Sequence, residues 1–449
     1  MQQRVNIGLI GGGTVGGGVV QALQNNGALM ASRLGVELNL AKIAVRNANR
    51  DRSVRIPRSL LTTDWRSIVE DPDIHLIVEL IGGTTTARDI VLAALRNGRP
   101  VVTANKALLS THGEQLFQTA RAHKANLYYE ASVAGGIPII KVLRESLVGN
   151  RIVSIHGILN GTCNYILTRM KLEGAEFADV LADAQRLGYA EAEPSLDIDG
   201  HDAAHKTGIL ASLAHGFWVQ PDQIHTEGIR NISKLDIQFA ERLGYTIKLL
   251  GNVKTLSPSP KRTKKGGSDP RPRIQVAVYP ALIPNRHVLA SVNHAFNAIA
   301  IRGDIVGDTL FYGRGAGQDP TASSVLSDLA DAALDLKCGS HNRVPAFVAH
   351  EGNGQVAPME SVISRYYVRL TVLDRPGVFA RIARVLADAK IGISSIIQPE
   401  GHEGESVPVI MMLHDAPNAA LSRAVNRISR LNVVKDQPVV IRVESFDAT

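Results

Sequence analysis

An α/β chain of more than one domain is predicted by three features of the sequence. A strand, a glycine-rich turn and a helix open it, strand–helix units follow to about residue 130, and a β-α-β-β-α-β order closes it. The opening run RVNIGLIGGGTVGGGVVQAL sets Gly11, Gly13 and Gly16 in a G-x-G-x-x-G pattern. Such glycines make a tight turn, let the backbone approach a pyrophosphate, and aim a helix N-terminus at its charge. A strand precedes the turn and an apolar helix follows it, so Gly11, Gly13, Thr14, Val15 and Gly16 are expected to bind a dinucleotide. Further units are read at residues 38–45, at 74–80 followed by a Thr-rich turn and a helix from Ala87, and at 100–103. This is a Rossmann-type domain.

The end of the 38–45 strand is where such a fold usually carries an acid for the adenosine ribose. Arg46 stands there instead, with Asn47 beside it. An acid repels a 2'-phosphate and arginine pairs with one, so NADP is favoured over NAD. The competing reading is plain surface charge on a loop that also holds Arg50, Arg52 and Arg55.

With 449 residues the chain has room for two or three domains with cores, and its 45% hydrophobic content is ordinary for a globular protein. No run approaches the roughly 18 apolar residues of a spanning helix, and the first residues lack a signal-peptide layout. A cytoplasmic protein with no membrane contact is expected. Cys163 and Cys338 are too few for a disulfide scaffold or a thiolate metal site. The net charge of +7 is concentrated at residues 257–273, where Lys261, Arg262, Lys264, Lys265, Arg271 and Arg273 face Asp269 alone. That Pro-, Gly- and Ser-rich stretch reads as a disordered surface loop between two strands. It has no aromatic residues to stack bases, so no nucleic-acid partner is expected.

The chemistry concentrates at residues 188–206, GYAEAEPSLDIDGHDAAHK, ahead of an apolar helix. Asp202 and Lys206 lie one helical turn apart and share a face, with Glu191 brought in from the preceding turn. Carboxylates hold a substrate ammonium, and a crowded lysine exchanges protons near neutrality. A solvated salt bridge at a helix start is the simpler alternative. His201 and His205 share the same spacing and raise zinc as a rival, although no third ligand is evident.

The segment resembles the signature of homoserine dehydrogenases, G-Y-A-E, then D-P, then L-D and G-x-D-A-A-H-K. Glu193 departs from the usual Asp, and His201 from a common aliphatic residue. The run VVTANKALL, with Lys106 at a strand-to-helix turn, resembles the same family, whose lysine there lies between nicotinamide and substrate. The resemblance implies an NADPH- or NADH-dependent reduction of L-aspartate 4-semialdehyde to L-homoserine. In it Lys206 exchanges the proton, Lys106 polarises the carbonyl, and Glu191 and Asp202 hold the substrate ammonium. It also implies a monovalent cation, usually sodium, bound largely through main-chain oxygens at Glu130, Val133, Gly135 and Ile137. Gly315, in the run LFYGRGAGQDP, would approach the cofactor.

Asn160, Gly161 and Thr162 are expected at a strand-to-helix turn lining either a substrate pocket or the core, with Cys163 small and buried beside them. The closing β-α-β-β-α-β stretch is ferredoxin-like. Its opening D-R-P-G motif, Asp374, Pro376, Gly377 and Val378, resembles ACT regulatory domains. Feedback by an amino acid, threonine, is the hypothesis this raises, as is a homodimer or homotetramer. The expected divisions are 1–129 for the dinucleotide, 130–340 for catalysis and dimerisation, a linker at 341–364 and an ACT domain at 365–449. The second rival is a non-catalytic amino-acid sensor, which would be marked by loss of Lys106, Lys206 or the turn glycines. All are present.

Overall fold

The computed structural model describes residues 3–446 apart from 53, 257–272, 342, 353 and 403. The chain divides into two compact units. One comprises Met1–Ser154, His205–Asp222 and Asn297–Gly354; the other comprises Ile155–Ala204, Gln223–Phe296 and Gln355–Thr449.

In the first unit, β1 (Gln3–Ile10), α1 (Thr14–Leu34), β2 (Val36–Ala44), β3 (Leu61–Thr62), α2 (Arg66–Val69), β4 (Leu76–Glu79), α3 (Thr86–Arg96), β5 (Val101–Thr103), α4 (Lys106–Ala122) and β6 (Leu127–Tyr128) succeed one another. These strands form one sheet whose pairings are all parallel, in the order β3-β2-β1-β4-β5-β6. This is the Rossmann arrangement, with its switch point at β1. β4 and β5 are buried along their whole length, as strands covered on both faces must be. One covering helix comes from far along the sequence. Ala322, Val325, Leu329 and Ala332 of the Gln318–Lys337 helix join Val5, Ile7, Leu9 and Val19 in one core. Gly18 permits that approach, since a Cβ there would meet Gln318 Cγ at 2.7 Å.

A second close approach in this unit seats Trp218, just beyond the His201–His215 helix, on α4. A Cβ on Gly113 would lie 2.3 Å from Trp218 Cζ2, and Trp218 packs edge-on against Phe117 with ring centroids 5.3 Å apart. Phe347 completes the cluster, stacked on Phe117 at 5.6 Å. The chain around it is pinned, because Tyr129 donates to the Ala346 carbonyl at 2.6 Å and Arg144 to those of Val344 and Pro345.

In the second unit the Tyr245–Leu256 and Arg273–Pro284 strands pair antiparallel from Leu256↔Arg273 to Tyr245↔Pro284. The basic segment expected to join them lies outside the described residues except for Arg273. The closing stretch follows the expected order: Ile363–Leu373, helix Val378–Asp388, Ile393–Ile397, Ser406–Pro417, helix Asn418–Ile428, Val439–Val443. Its strands are all antiparallel, with the last beside the first, then the third, then the second. Alternation along the first strand sends Tyr366, Val368, Leu370 and Val372 into a core with Ile382 and Leu386 of one helix and Leu421 and Ile428 of the other. The sheet does not stop there, since Val439–Val443 also pairs in parallel with Arg273–Pro284 at Ala281↔Arg442 and Leu282↔Val443.

Buried charge reinforces that join. Arg369 makes a two-pronged contact to Asp236 at 2.7 and 3.0 Å, with the Tyr367 hydroxyl donating to the same carboxylate at 3.0 Å. Arg442 lies over the Tyr279 ring and donates to Glu227 at 2.8 Å and to Asn418 at 3.0 Å. Burial opposes charge on Glu227, but the bond to His225 and the guanidinium of Arg442 prevail and hold its carboxyl down to about 2.

Two predictions follow from this packing. Gly113→Ala gains about 1 kcal/mol of helix propensity but drives a methyl into the indole at about 1–3 kcal/mol. A net loss of about 1–2 kcal/mol in urea denaturation is expected, and a variant as stable as the parent would refute the close seating. Burial also holds His156 and His215 down to about 4. The unfolded chain takes up these protons near 6.5, so stability is full above that value and falls as pH drops toward 4. A urea midpoint that does not fall between pH 7 and pH 5 would count against both assignments.

Candidate active site

At the carboxyl ends of β1 and β4, a cavity of about 680 Å³ is lined by Gly11, Gly13, Thr14, Arg46, Arg50 and Gly82, among others. The three fingerprint glycines are required by different contacts. Gly11 has φ +118°, and a Cβ there would lie 2.6 Å from the Leu80 carbonyl oxygen; one on Gly16 would lie 1.9 Å from that of Gly11. Around Gly13 there is open space, so its absent side chain leaves room for a ligand. Gly13 is the N-cap of α1 and makes no side-chain cap, which leaves the first N–H groups of the helix available for phosphate oxygens.

Of the arginines expected near the adenosine end, Arg46 and Arg50 are exposed on the cavity wall. Arg52 has a different task. It donates to the carbonyls of Asn47 at 2.6 Å and Arg50 at 2.8 Å and so shapes the loop that presents the other two.

Lys106 is the first residue of α4 and is half-buried. Asn105 caps that helix by accepting from Leu108 N at 3.1 Å, and its amide nitrogen donates to the Gly83 carbonyl at 2.7 Å. Behind the cap stands a residue that sequence reading passed over inside an apolar run. Glu79 is 0% exposed, accepts from Ile81 N at 2.8 Å, Gly82 N at 3.3 Å and Thr103 Oγ1 at 2.7 Å, and burial raises its proton affinity. Only the end of a strand followed by a glycine pair hinted at it.

On the His201–His215 helix, Asp202 and Lys206 lie one turn apart, 5% and 8% exposed. In the second unit Asn160, the N-cap of the Gly161–Glu173 helix, shares its amide between two carboxylates, donating to Asp197 at 2.7 Å and to Asp202 at 2.9 Å. Thr162 Oγ1 reaches Asp197 at 3.2 Å, and the Cys163 thiol, fully buried, donates to the Asp197 carbonyl. Asp197 belongs to the 188–206 stretch, yet spacing alone gave no reason to choose it over its neighbours. Glu191 is exposed, and what it contributes to packing is its carbonyl, which accepts from Gln185. Glu193 bonds Ser195 at the start of the Ser195–Ile198 helix, where Arg230 pairs with Asp199, so the unusual acid caps a turn.

The expected cation residues belong to the first unit. The Glu130 carboxylate accepts from Ile140 N at 2.9 Å and Lys141 N at 2.8 Å, while burial pushes its pKa up to about 7. Ala134 and Gly135 are both left-handed, at φ 58° and 51°. The carbonyls of Gly135 and Ile137 each accept one hydrogen bond, from Ser324 Oγ and Ile139 N. The carbonyl of fully buried Val133 accepts none among the described residues. A buried oxygen without a donor suits a cation bound by main-chain atoms. Among the described residues no three His, Cys, Asp or Glu gather as metal ligands, which leaves the His201/His205 zinc reading without a third ligand. Gly315 backs this turn: a Cβ on Gly135 would lie 2.6 Å from its carbonyl carbon, and one on Gly315 would strike Asn297.

The glycine turn at the switch point of a parallel sheet and its cavity define a Rossmann-type, dinucleotide-dependent oxidoreductase. The chain matches the homoserine dehydrogenase NAD-binding domain model over residues 11–130 and the homoserine dehydrogenase model over residues 138–330. It is 42% identical to the homoserine dehydrogenase of Pseudomonas aeruginosa over 99% of each chain. Among solved structures it resembles a homoserine dehydrogenase from Thiobacillus denitrificans, at 42% identity, 99% coverage of both chains and a TM-score of 0.91. It also resembles a hyperthermophilic archaeal homoserine dehydrogenase in complex with NADPH, at 27% identity over 74% of this chain and 98% of that one, with a TM-score of 0.60. The chain belongs to the homoserine dehydrogenase family and is an NAD(P)-dependent oxidoreductase.

Asn160 supplies a testable point. Asn160→Ala leaves two carboxylates without their shared donor and uncaps a helix, so a loss of about 1–3 kcal/mol is expected in urea denaturation. Unchanged stability would show that water replaces the amide fully.

Proposed function

We propose that the protein catalyses the reversible reduction of L-aspartate 4-semialdehyde to L-homoserine with NADPH, a step toward threonine, methionine and isoleucine. The observation that carries this reading is the His201–His215 helix, which bears Asp202 and Lys206 one turn apart, both buried, in a chain with a dinucleotide-type glycine turn. A lysine amine is a suitable group to exchange a proton with the substrate oxygen. NADPH, when bound, supplies a hydride from C4 of the nicotinamide. The aldehyde oxygen then gains negative charge, and Lys206 Nζ delivers the proton that makes it a hydroxyl. In the reverse direction the same amine takes that proton. Lys106 polarises the carbonyl and stabilises the developing charge. Asp202 and Glu191, the second of them exposed, hold the substrate ammonium.

NADP is favoured over NAD by Arg46 and Arg50, two exposed guanidiniums on a cavity wall that also carries Asp51. The NADPH bound to the archaeal relative supports the same choice. A monovalent cation, sodium, is held by main-chain oxygens at Glu130, Val133, Gly135 and Ile137; the unbonded Val133 carbonyl supports this. Bound there, the ion would brace the turn between Glu130 and Ile139.

Residues 365–449 form a ferredoxin-like ACT module, for which the strand order and the Asp374, Pro376, Gly377 and Val378 turn speak. Gly377, left-handed at φ 85°, caps the Val378–Asp388 helix, and Gln398 donates to Asp374 beside it. Threonine acts there as feedback inhibitor, and the protein is a homodimer or homotetramer. The enzyme works in the cytoplasm. None of the helices among the described residues is long and apolar enough to cross a membrane.

Steady-state assay with aspartate semialdehyde tests the reading. Lys206→Ala is expected to lose turnover by about 10²–10⁴-fold while still binding NADPH in a fluorescence titration. Turnover near that of the parent would remove the proton-transfer role.

A further inference from the structure

The cap of α4 and the turn after β4 are joined by one hydrogen-bonded circuit, and its centre is a carboxylate. Asn105 N donates to Thr103 Oγ1 at 3.1 Å, and the Thr103 hydroxyl, having accepted, donates its own hydrogen to Glu79 Oε2 at 2.7 Å. On its other oxygen Glu79 takes the N–H groups of Ile81 and Gly82. Asn105 Nδ2 closes the ring on the Gly83 carbonyl. Every group facing Glu79 donates, so the directions fit a carboxylate, which only accepts. Burying one is unfavourable, and Glu79 and Thr103 are both 0% exposed, which is a costly way to pack a strand end unless the circuit does something.

What it joins is informative. Ile81 and Gly82 line the dinucleotide cavity, and Gly82 and Gly83 are both left-handed, at φ 72° and 75°. Two such residues in succession leave a turn with little conformational preference of its own. Asn105 precedes Lys106, whose backbone it sets through the cap on Leu108 N.

We propose that Glu79 is a positioning residue for the reaction: through Thr103 and Asn105 it fixes the first turn of α4, and with it Lys106, against the cavity turn at Ile81, Gly82 and Gly83. This rests on the role given to Lys106 under Proposed function. Glu79 touches neither substrate nor cofactor. It acts by keeping Lys106 and the nicotinamide end of the cavity in register, and a misplacement of about 1 Å there costs on the order of a hundredfold in rate.

The two arms of the circuit separate experimentally. Thr103→Val cuts the arm to Asn105 and leaves Glu79 on the turn. It is expected to lower kcat by about tenfold or more with the KM for NADPH within about twofold. Thr103→Ser keeps the hydroxyl and should restore kcat to within about twofold of the parent. Glu79→Gln sets an amide N–H against a donor on one side or the other, so it should lower kcat and weaken NADPH binding together. Thermal melting followed by circular dichroism reports folding, and the Thr103 pair decides the matter if Glu79→Gln does not fold. A Thr103→Val enzyme with kcat within twofold of the parent overturns the inference, as does a Thr103→Ser enzyme no better than Thr103→Val. Lys106→Ala is assayed alongside. Normal turnover there removes the Lys106 reading and the inference with it; impaired turnover beside an unimpaired Thr103→Val removes the positioning role alone.

Discussion

The indole of Trp218 lying against Gly113 is the contact on which the proposed catalytic apparatus depends. It fastens the end of the helix that carries Lys206 to the middle of the helix that begins with Lys106. Helices locked by an aromatic ring over a glycine have no slack along their axes, because sliding by a fraction of a turn drives the ring into backbone. The contact thus packs the chain just beyond the Lys206 helix against the middle of the Lys106 helix. Phe117, Phe347 and Tyr129 extend the aromatic layer and give the contact its area.

Acidic groups near the substrate end have a different support. Asp197 and Asp202 share one amide, and Asp199 has Arg230. A neutral donor between two carboxylates satisfies them without cancelling their charge, so the site stays attractive to a cation such as a substrate ammonium. The Arg230 guanidinium pairs with Asp199 and with Ser195 Oγ instead. This division of partners explains why Asn160 stands at the strand-to-helix turn, where a helix cap alone would be served equally by Ser or Asp.

Much of the first unit was legible in its sequence because glycine turns and parallel strands are local. Gly11 and Gly16 are demanded by backbone a few residues away, and β2, β4 and β5 lie within a residue or two of where hydrophobic runs place them. Nothing local says that the Gln318–Lys337 helix belongs to the first core. Glu79 and Asp197 were missed for the same reason, since their significance lies in partners tens of residues distant. Glu191 shows the converse. Nearness in sequence grouped it with Asp202, while the free structure leaves its side chain in solvent. The proposal of a cation at Glu130, Val133, Gly135 and Ile137 came from resemblance, because main-chain oxygens carry no sequence signal.

The closing β-α-β-β-α-β module is joined to the strands before it by a shared sheet and by Arg369 on Asp236 and Arg442 on Glu227. Asp236 is wholly buried and paired with Arg369, so removing either partner would leave the other unpaired in low dielectric, a loss of roughly 3–5 kcal/mol for a pair of this kind. The two layers should therefore melt as one cooperative body, with their amide protons exchanging at a common rate. Stability supplied to one is then supplied to the other. An effector that binds the module would be felt as slower breathing of the Arg273–Pro284 strand, with which the module pairs.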